Sequence, residues 1–368
     1  MSHPSPVVLD VDTGVDDALA ILLAARHPAL DLRAVTCVGG NAPVDRVVRN
    51  TLVVLEAAGR PDVPVARGAA RPLLEPSRDA RHVHGEDGMG DLGWPDAAAE
   101  LDPRHAVELL RDLLLPLAGA PEEERITLVT LAPLTNIALL LRTWPEAAAG
   151  LRRIVMMGGT AGTGNATASA EFNVWHDPEA AAVVLDVADE LSRGSCDVAA
   201  GPSRGSCDVA AGRPPITLYG LDVFYDVVVE RGRAAELVAE GRRTGNRAAE
   251  LGGLLVEFQC ERFESAHATI GDAGAVCAVV DPDGLRTSRL PVRVELAGSY
   301  SRGHTIVDRR DWSGDLAHDP HGIAPTQVDV ALAVDAKRYA DLWLGALGTL
   351  EEPARRPTPE STAAPRQD

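Results

Sequence analysis

The segment Val7-Val8-Leu9-Asp10-Val11-Asp12-Thr13-Gly14-Val15-Asp16-Asp17-Ala18-Leu19-Ala20 governs how the chain is read. Val7 to Leu9 is a short apolar run of the kind that forms a buried strand. Gly14 permits a sharp turn, and the apolar-rich stretch from Ala18 to Ala25 predicts a helix. Acids at the carboxyl end of a strand and in the first turn of a helix occupy the place where open α/β sheets bind ligands. Four aspartates, at 10, 12, 16 and 17, stand within eight residues. Carboxylates this close repel one another unless a cation holds them, and a hard metal ion with oxygen ligands is the simplest such cation.

Further along, short β-branched runs alternate with amphipathic ones. Strands are predicted at Leu32–Cys37, Ile126–Thr130, Ile154–Met157 and Ile216–Leu221, and helices at Val44–Ala58, Arg104–Leu115, Leu134–Leu141 and Pro178–Val187. This alternation predicts an α/β fold: an open, mostly parallel twisted sheet covered by helices on both faces, in a single domain over residues 1–350. From 351 to 368 the chain is rich in Pro, Arg, Thr and Glu, which predicts a disordered tail. Ser192–Gly201 reads SRGSCDVAAG, and Ser203–Gly212 repeats it after Pro202. Two units are too few for a solenoid, so residues 187–213 are read as a duplicated surface insertion, with a lid or a Cys196/Cys207 pair as the other readings.

Composition narrows the function. Hydrophobic content of 45% can fill a core, yet no apolar run approaches the ~20 residues of a membrane span. Met1 to Pro6 lack a basic region and an apolar region of the signal-peptide type, and the five cysteines (37, 196, 207, 260, 277) form no CxxC pair. A cytoplasmic protein with free thiols is expected. The net charge of −19 disfavours nucleic acid and anionic membranes as partners. Lys337 is the only lysine, which removes lysine Schiff-base chemistry and the P-loop.

The acidic cluster has look-alikes. An EF-hand loop fails, because Gly14 stands where an acid or amide is needed and Ile21 stands where a Glu is needed. A phosphatase of the haloacid dehalogenase type also begins with a strand and DxD, but it has no need of Asp16 and Asp17. The ordered set of motifs is similar to the inosine–uridine nucleoside hydrolase family over roughly residues 7–346. The motifs are DVDTGVDDALA at 10–20, Val38-Gly39-Gly40-Asn41, His84-Gly85-Glu86-Asp87-Gly88-Met89-Gly90 and Ala132-Pro133-Leu134-Thr135-Asn136-Ile137-Ala138. Met157-Gly158-Gly159, Gly164-Asn165-Ala166-Thr167 and Ala170-Glu171-Phe172-Asn173 follow, running into Asp177-Pro178-Glu179-Ala180-Ala181.

The resemblance implies a calcium-dependent nucleoside N-ribohydrolase of purine or pyrimidine salvage, acting on small ribonucleosides as a homodimer or homotetramer. It implies Ca²⁺ held by Asp12, Asp17, Asp272 and the Leu131 carbonyl, with Asp10 as ligand or support. Asp12 is then the general base. Asp16 and Asn173, helped by Asn41, hold ribose hydroxyls; Asn165 and Glu171 hold the 5′-hydroxyl side, with Met157 nearby. Taken singly, Asp10 or Asp16 reads as a helix cap or turn former, and Glu171 or Asn173 as a cap of the helix before Asp177.

The sequence departs from many purine-cleaving relatives at the residue before Asp272, where Gly271 replaces a histidine that protonates the leaving base. His84 is the first substitute by motif position, with His82 and His267 behind it; Trp94 and Trp175 read first as packing residues and otherwise as residues that stack on a base, and Tyr225 lies in a contributing region. This departure also motivates a second reading, a ribose- or nucleoside-binding protein that keeps calcium but has lost catalysis. A DxD phosphatase is the third.

Overall fold

A computed structural model describes residues 3–190, 214–310 and 326–348. The duplicated segment 192–212 and the tail 351–368 lie outside the described residues. In order, the elements are β1 (Ser5–Val11), α1 (Val15–Arg26), β2 (Leu30–Cys37), α2 (Val44–Ala57), β3 (Val65–Arg67), α3 (Arg81–His84), α4 (Ala106–Leu114), β4 (Ile126–Thr130), α5 (Thr135–Thr143) and β5 (Leu151–Met157). There follow α6 (Phe172–His176), α7 (Pro178–Glu190), β6 (Ile216–Tyr219), α8 (Leu221–Phe224), β7 (Val228–Glu230), α9 (Arg231–Thr244) and α10 (Arg247–Arg262). The chain closes with β8 (His267–Thr269), α11 (Ala273–Val280), β9 (Leu285–Val294), β10 (Thr305–Val307), β11 (Thr326–Val334) and α12 (Ala336–Gly348).

Nine of the described strands form one sheet in the order β10-β9-β11-β6-β5-β4-β1-β2-β3. The stretch from β11 through β6 to β3 is parallel, whereas β9 runs antiparallel to β11 and β10 antiparallel to β9. The expected open, mostly parallel α/β sheet is the one observed. In β1 the side chains alternate between two apolar layers. Val7, Leu9 and Val11 join the layer built with α1, α2, α10, α11 and α12, and Val8 joins the layer built with α4, α5 and α7. A strand covered on both faces needs an unbroken apolar run, which explains why Val7–Leu9 carries no polar residue.

The connections explain where a site forms. From β1 the chain winds outward through β2 to β3, then returns to lay β4 on the other side of β1. Successive crossovers therefore leave in opposite directions at β1/β4 and open a crevice beyond their carboxyl ends. Asp10 and Asp12 end β1, Leu131 follows β4 and Met157 ends β5, so one edge of the sheet delivers all of them. The first helix begins at Val15, earlier than its apolar stretch suggests, because Asp17 accepts the Gly14 N–H at 2.8 Å and the Asp12 N–H at 3.1 Å.

Candidate active site

The crevice opens into a cavity of about 610 Å³. Nine of the residues singled out from sequence line it: Asp16, Asn41, His84, Leu131, Met157, Asn165, Glu171, Asn173 and Asp272. Asp10, Asp12 and Asp17 are fully buried behind this wall.

Each acid is held by a different part of the chain. Asp12 accepts the Asn41 backbone N–H at 2.7 Å and the Asn41 side-chain amide at 3.2 Å. The same amide reaches Asp17 at 3.3 Å. A methyl group at Gly40 would stand 2.0 Å from Asp12 Oδ2, so the glycine before Asn41 lets the β2 loop close on the acid. Asp10 Oδ1 accepts the Thr36 hydroxyl at 2.6 Å and the Asn136 amide at 2.9 Å, while Oδ2 is buried without a partner. Burial pushes the Asp10 and Asp17 carboxyls up to about 7, and burial together with the neighbouring acids pushes Asp12 and Asp272 well above the carboxylate range.

These are the features of a cation site. One oxygen each from Asp16, Asp17 and Asp272 lie within 4.8 Å of one another, and Asp16 Oδ1 is buried without a partner. The set contains only hard oxygen donors, which suits a divalent cation such as calcium. The Leu131 carbonyl accepts one bond, from Asn173 Nδ2 at 2.9 Å, and keeps a second lone pair. The grouping differs in one respect from the ligand set inferred from sequence. Asp16, expected on the sugar, lies with Asp17 and Asp272, while Asp12 stands beside them engaged by Asn41.

The sugar-side residues share one framework. Glu171 caps α6 by accepting the Asn173 N–H at 2.8 Å and the Val174 N–H at 3.2 Å, and it also accepts the Gly159 N–H at 2.8 Å. Its capping role is real and coexists with a place in the cavity wall; burial raises it to about 7. Asn165 accepts the Phe172 N–H at 2.9 Å and approaches the Tyr225 hydroxyl at 3.5 Å.

The other side of the cavity differs more from expectation. His84 is buried, and its Nδ1 accepts the Val15 N–H at 3.1 Å, 3.8 Å from Asp16 Oδ1. That bond leaves the ring proton on Nε2, and burial pushes the imidazole below its usual range. His82, Trp175, Tyr225 and His267 also line the cavity. Trp94 does not: it packs against the α1/α2 layer under Arg247, 5.6 Å from its ring centre, because the Arg49 side chain ties the Trp94 carbonyl to α2. Phe224, Gln259 and Phe263 line the cavity without having been singled out from sequence.

The family model for inosine-uridine preferring nucleoside hydrolases matches residues 7–341. The chain belongs to this family. This nucleoside hydrolase is 36% identical over 311 residues to an inosine-uridine preferring nucleoside hydrolase of Leishmania major, covering 83% of the present chain and 88% of that relative. It is 36% identical over 337 residues to a non-specific ribonucleoside hydrolase, RihC, of Salmonella newport, covering 90% and 94%. A purine-preferring ribonucleoside hydrolase from Gardnerella vaginalis superposes with a TM-score of 0.76 at 26% identity, covering 93% of this chain and 98% of that one. By family the protein is a nucleoside N-ribohydrolase, and no described helix is long and apolar enough to cross a membrane.

Two predictions arise here. Gly271 has a φ of +52°, and a Cβ there would stand 2.7 Å from Asp16 Cβ and 2.8 Å from the Phe224 ring. Gly271→His therefore does not restore an acid. It is expected to destabilise the nucleoside hydrolase by about 2 kcal/mol or more and to slow inosine cleavage, read by thermal unfolding and hypoxanthine release.

His176 carries the second. Both of its ring nitrogens are buried without partners, its ring lies 5.5 Å from Phe172, and Arg78 is the charged neighbour. Burial, then Arg78, lowers it to about 4 from a reference of 6.5. A depressed histidine stabilises the fold fully above its unfolded pKa, and that contribution is lost as pH falls towards the folded one. Between pH 7 and pH 5 the loss is about 2 kcal/mol. Urea unfolding at the two pH values is expected to show a slope that His176→Leu flattens by that amount; an unchanged slope refutes the assignment.

Proposed function

We propose that this nucleoside hydrolase cleaves the C1′–N bond of ribonucleosides with Ca²⁺ held by Asp12, Asp17, Asp272 and the Leu131 carbonyl, supported by Asp10. The observation that carries the reading is the meeting of three carboxylates from two distant segments at the wall of a cavity that also presents Asn41, Glu171 and Asn173. Held by these residues, calcium would supply a positive centre that lowers the pKa of a nearby water and favours oxygen ligands such as sugar hydroxyls. Asp12 accepts the proton of the attacking water. The paired Asn41 N–H groups aim its carboxylate and compensate its burial.

Asp16 and Asn173, helped by Asn41, would position the ribose hydroxyls, and Asn165 and Glu171 the 5′-hydroxyl side, with Met157 nearby in the cavity wall. As the C1′–N bond lengthens, positive charge grows on the sugar, and the ring of carboxylates favours that state over the neutral substrate. His84 donates its Nε2–H towards the departing base. Tight packing of polar groups on the 2′-hydroxyl predicts discrimination against deoxyribonucleosides by about 10⁴-fold in kcat/KM, because their loss leaves buried groups unpaired.

The test is base release from inosine, adenosine, guanosine, uridine and cytidine, with calcium and with EDTA, alongside 2′-deoxyinosine. Calcium-dependent release confined to the ribo series supports the reading. Equal turnover in metal-free protein refutes it, and tight ribonucleoside binding without release would favour the binding-protein alternative.

A further inference from the structure

The cavity is well matched to one half of the charge that bond cleavage creates and poorly matched to the other. Asp16, Glu171 and Asp272 stand in its wall with Asp10, Asp12 and Asp17 behind, and among the described lining residues there is no arginine or lysine. When a neutral nucleoside ionises, the sugar turns positive and the base turns negative unless a proton meets it. Calcium's two positive charges offset part of these six acids, and the remaining carboxylate charge stabilises the first charge and opposes the second.

Proton sources on the base side are weak. His84 spends its Nδ1 lone pair on the Val15 N–H, so the ring has only its Nε2–H to offer, a hydrogen bond and not a mobile proton. His82 and His267 line the rim but are solvent-exposed. Position 271 admits no side chain, with Asp16 on one side and Phe224 on the other. Aromatic rings stand in the same wall: Phe224 and Tyr225 meet edge to face at 5.0 Å and Phe263 lines the cavity with them, while Trp175, also in the lining, already holds the Arg78 guanidinium 4.5 Å over its ring. Aromatic faces beside carboxylates form a compartment suited to a flat cation.

We propose that the preferred substrates are N-ribosides whose base already carries a fixed positive charge, a pyridinium riboside being the simplest. The proposal rests on the hydrolase reading above. The C1′–N bond breaks with both electrons returning to the ring nitrogen, which leaves as a neutral pyridine. Water oxygen bonds to C1′ and gives up one proton, so that cationic riboside and water yield ribose, neutral base and H⁺. Only one positive charge is present throughout; it moves from the base to the sugar, and no anion forms against the acidic wall. Nothing is required of position 271.

The test uses the full-length protein with calcium and four probes: nicotinamide riboside, its uncharged 1,4-dihydro form, inosine and uridine. The cationic riboside is expected to be cleaved with kcat/KM at least tenfold above inosine and uridine. The dihydro form has nearly the same shape and no charge, and as an inhibitor it is expected to bind at least tenfold more weakly than the cation. p-Nitrophenyl riboside, neutral and independent of an acid, is expected to fall below the cationic riboside. Faster cleavage of inosine or uridine, equal binding of the charged and uncharged forms, or p-nitrophenyl riboside matching the cation would each overturn the inference while leaving a calcium-dependent hydrolase in place. No cleavage of any probe would overturn the hydrolase reading and this inference together.

Discussion

Asp12→Asn is expected to lower turnover of p-nitrophenyl riboside by about a thousandfold or more, without unfolding the protein. This substrate needs no proton on its leaving group, so its rate reports water activation alone. An amide cannot accept the water's proton, and general-base removal alone accounts for about 10²- to 10⁴-fold. The variant also meets a local conflict. Both Asp12 oxygens face N–H donors of Asn41, at 2.7 and 3.2 Å, and an amide must turn its own NH₂ towards one of them. Misdirection of the remaining oxygen adds to the loss. Calcium titration calorimetry separates the two jobs given to Asp12. Retained calcium binding with lost turnover assigns it as base, and lost binding assigns it chiefly as ligand. Turnover near that of the unaltered protein would remove Asp12 from the chemistry.

The parts legible in sequence were those set by local pattern. Ile126–Thr130 is a strand residue for residue, because four of its five side chains are β-branched and all five are buried, the pattern of a parallel strand covered on both faces. The acids of the first loop were legible because four of them in eight residues repel one another more than caps and turns require. Their partners were not. Thr36 and Asn136 reach Asp10 from 26 and 126 residues away, and no spacing announces such a bond. Phe224, Gln259 and Phe263 were missed for a related reason: they reach the cavity from α8, from α10 and from the residue just after it, and neither an apolar helix residue nor a lone Gln or Phe near a helix end announces in sequence that it meets a ligand. Trp94 follows its packing reading and not the stacking one: Arg49 and Arg247 hold it away from the site. Glu171 shows that a cap and a wall residue can be one side chain, since its oxygens hold α6 while its position places it at the cavity.

Adding calcium to chelated protein is expected to raise the unfolding temperature, and Asp272→Asn is expected to abolish that rise while making the chelated protein more stable. Asp10, Asp12, Asp17 and Asp272 are buried together, which costs free energy through lost hydration and mutual repulsion. No arginine or lysine forms a salt bridge with any of them among the described residues. Their compensation is backbone and amide N–H groups, which leave Asp10 Oδ2 and Asp16 Oδ1 without partners. A ligand that binds only the folded state stabilises it by about 2.7 kcal/mol at a hundred times its Kd, or roughly 3–4 °C for a chain of this size. Asp272→Asn removes the cost of burying that charge or of taking up a proton to neutralise it, so the metal-free fold is stabilised. Activity and apo stability then move in opposite directions in one substitution, as a site that stores repulsion for a cation requires. Differential scanning calorimetry of both proteins, with EDTA and with excess calcium, reads all four states. An unfolding temperature of the unaltered protein that ignores calcium would show that the aspartate cluster is stabilised by its amide donors alone.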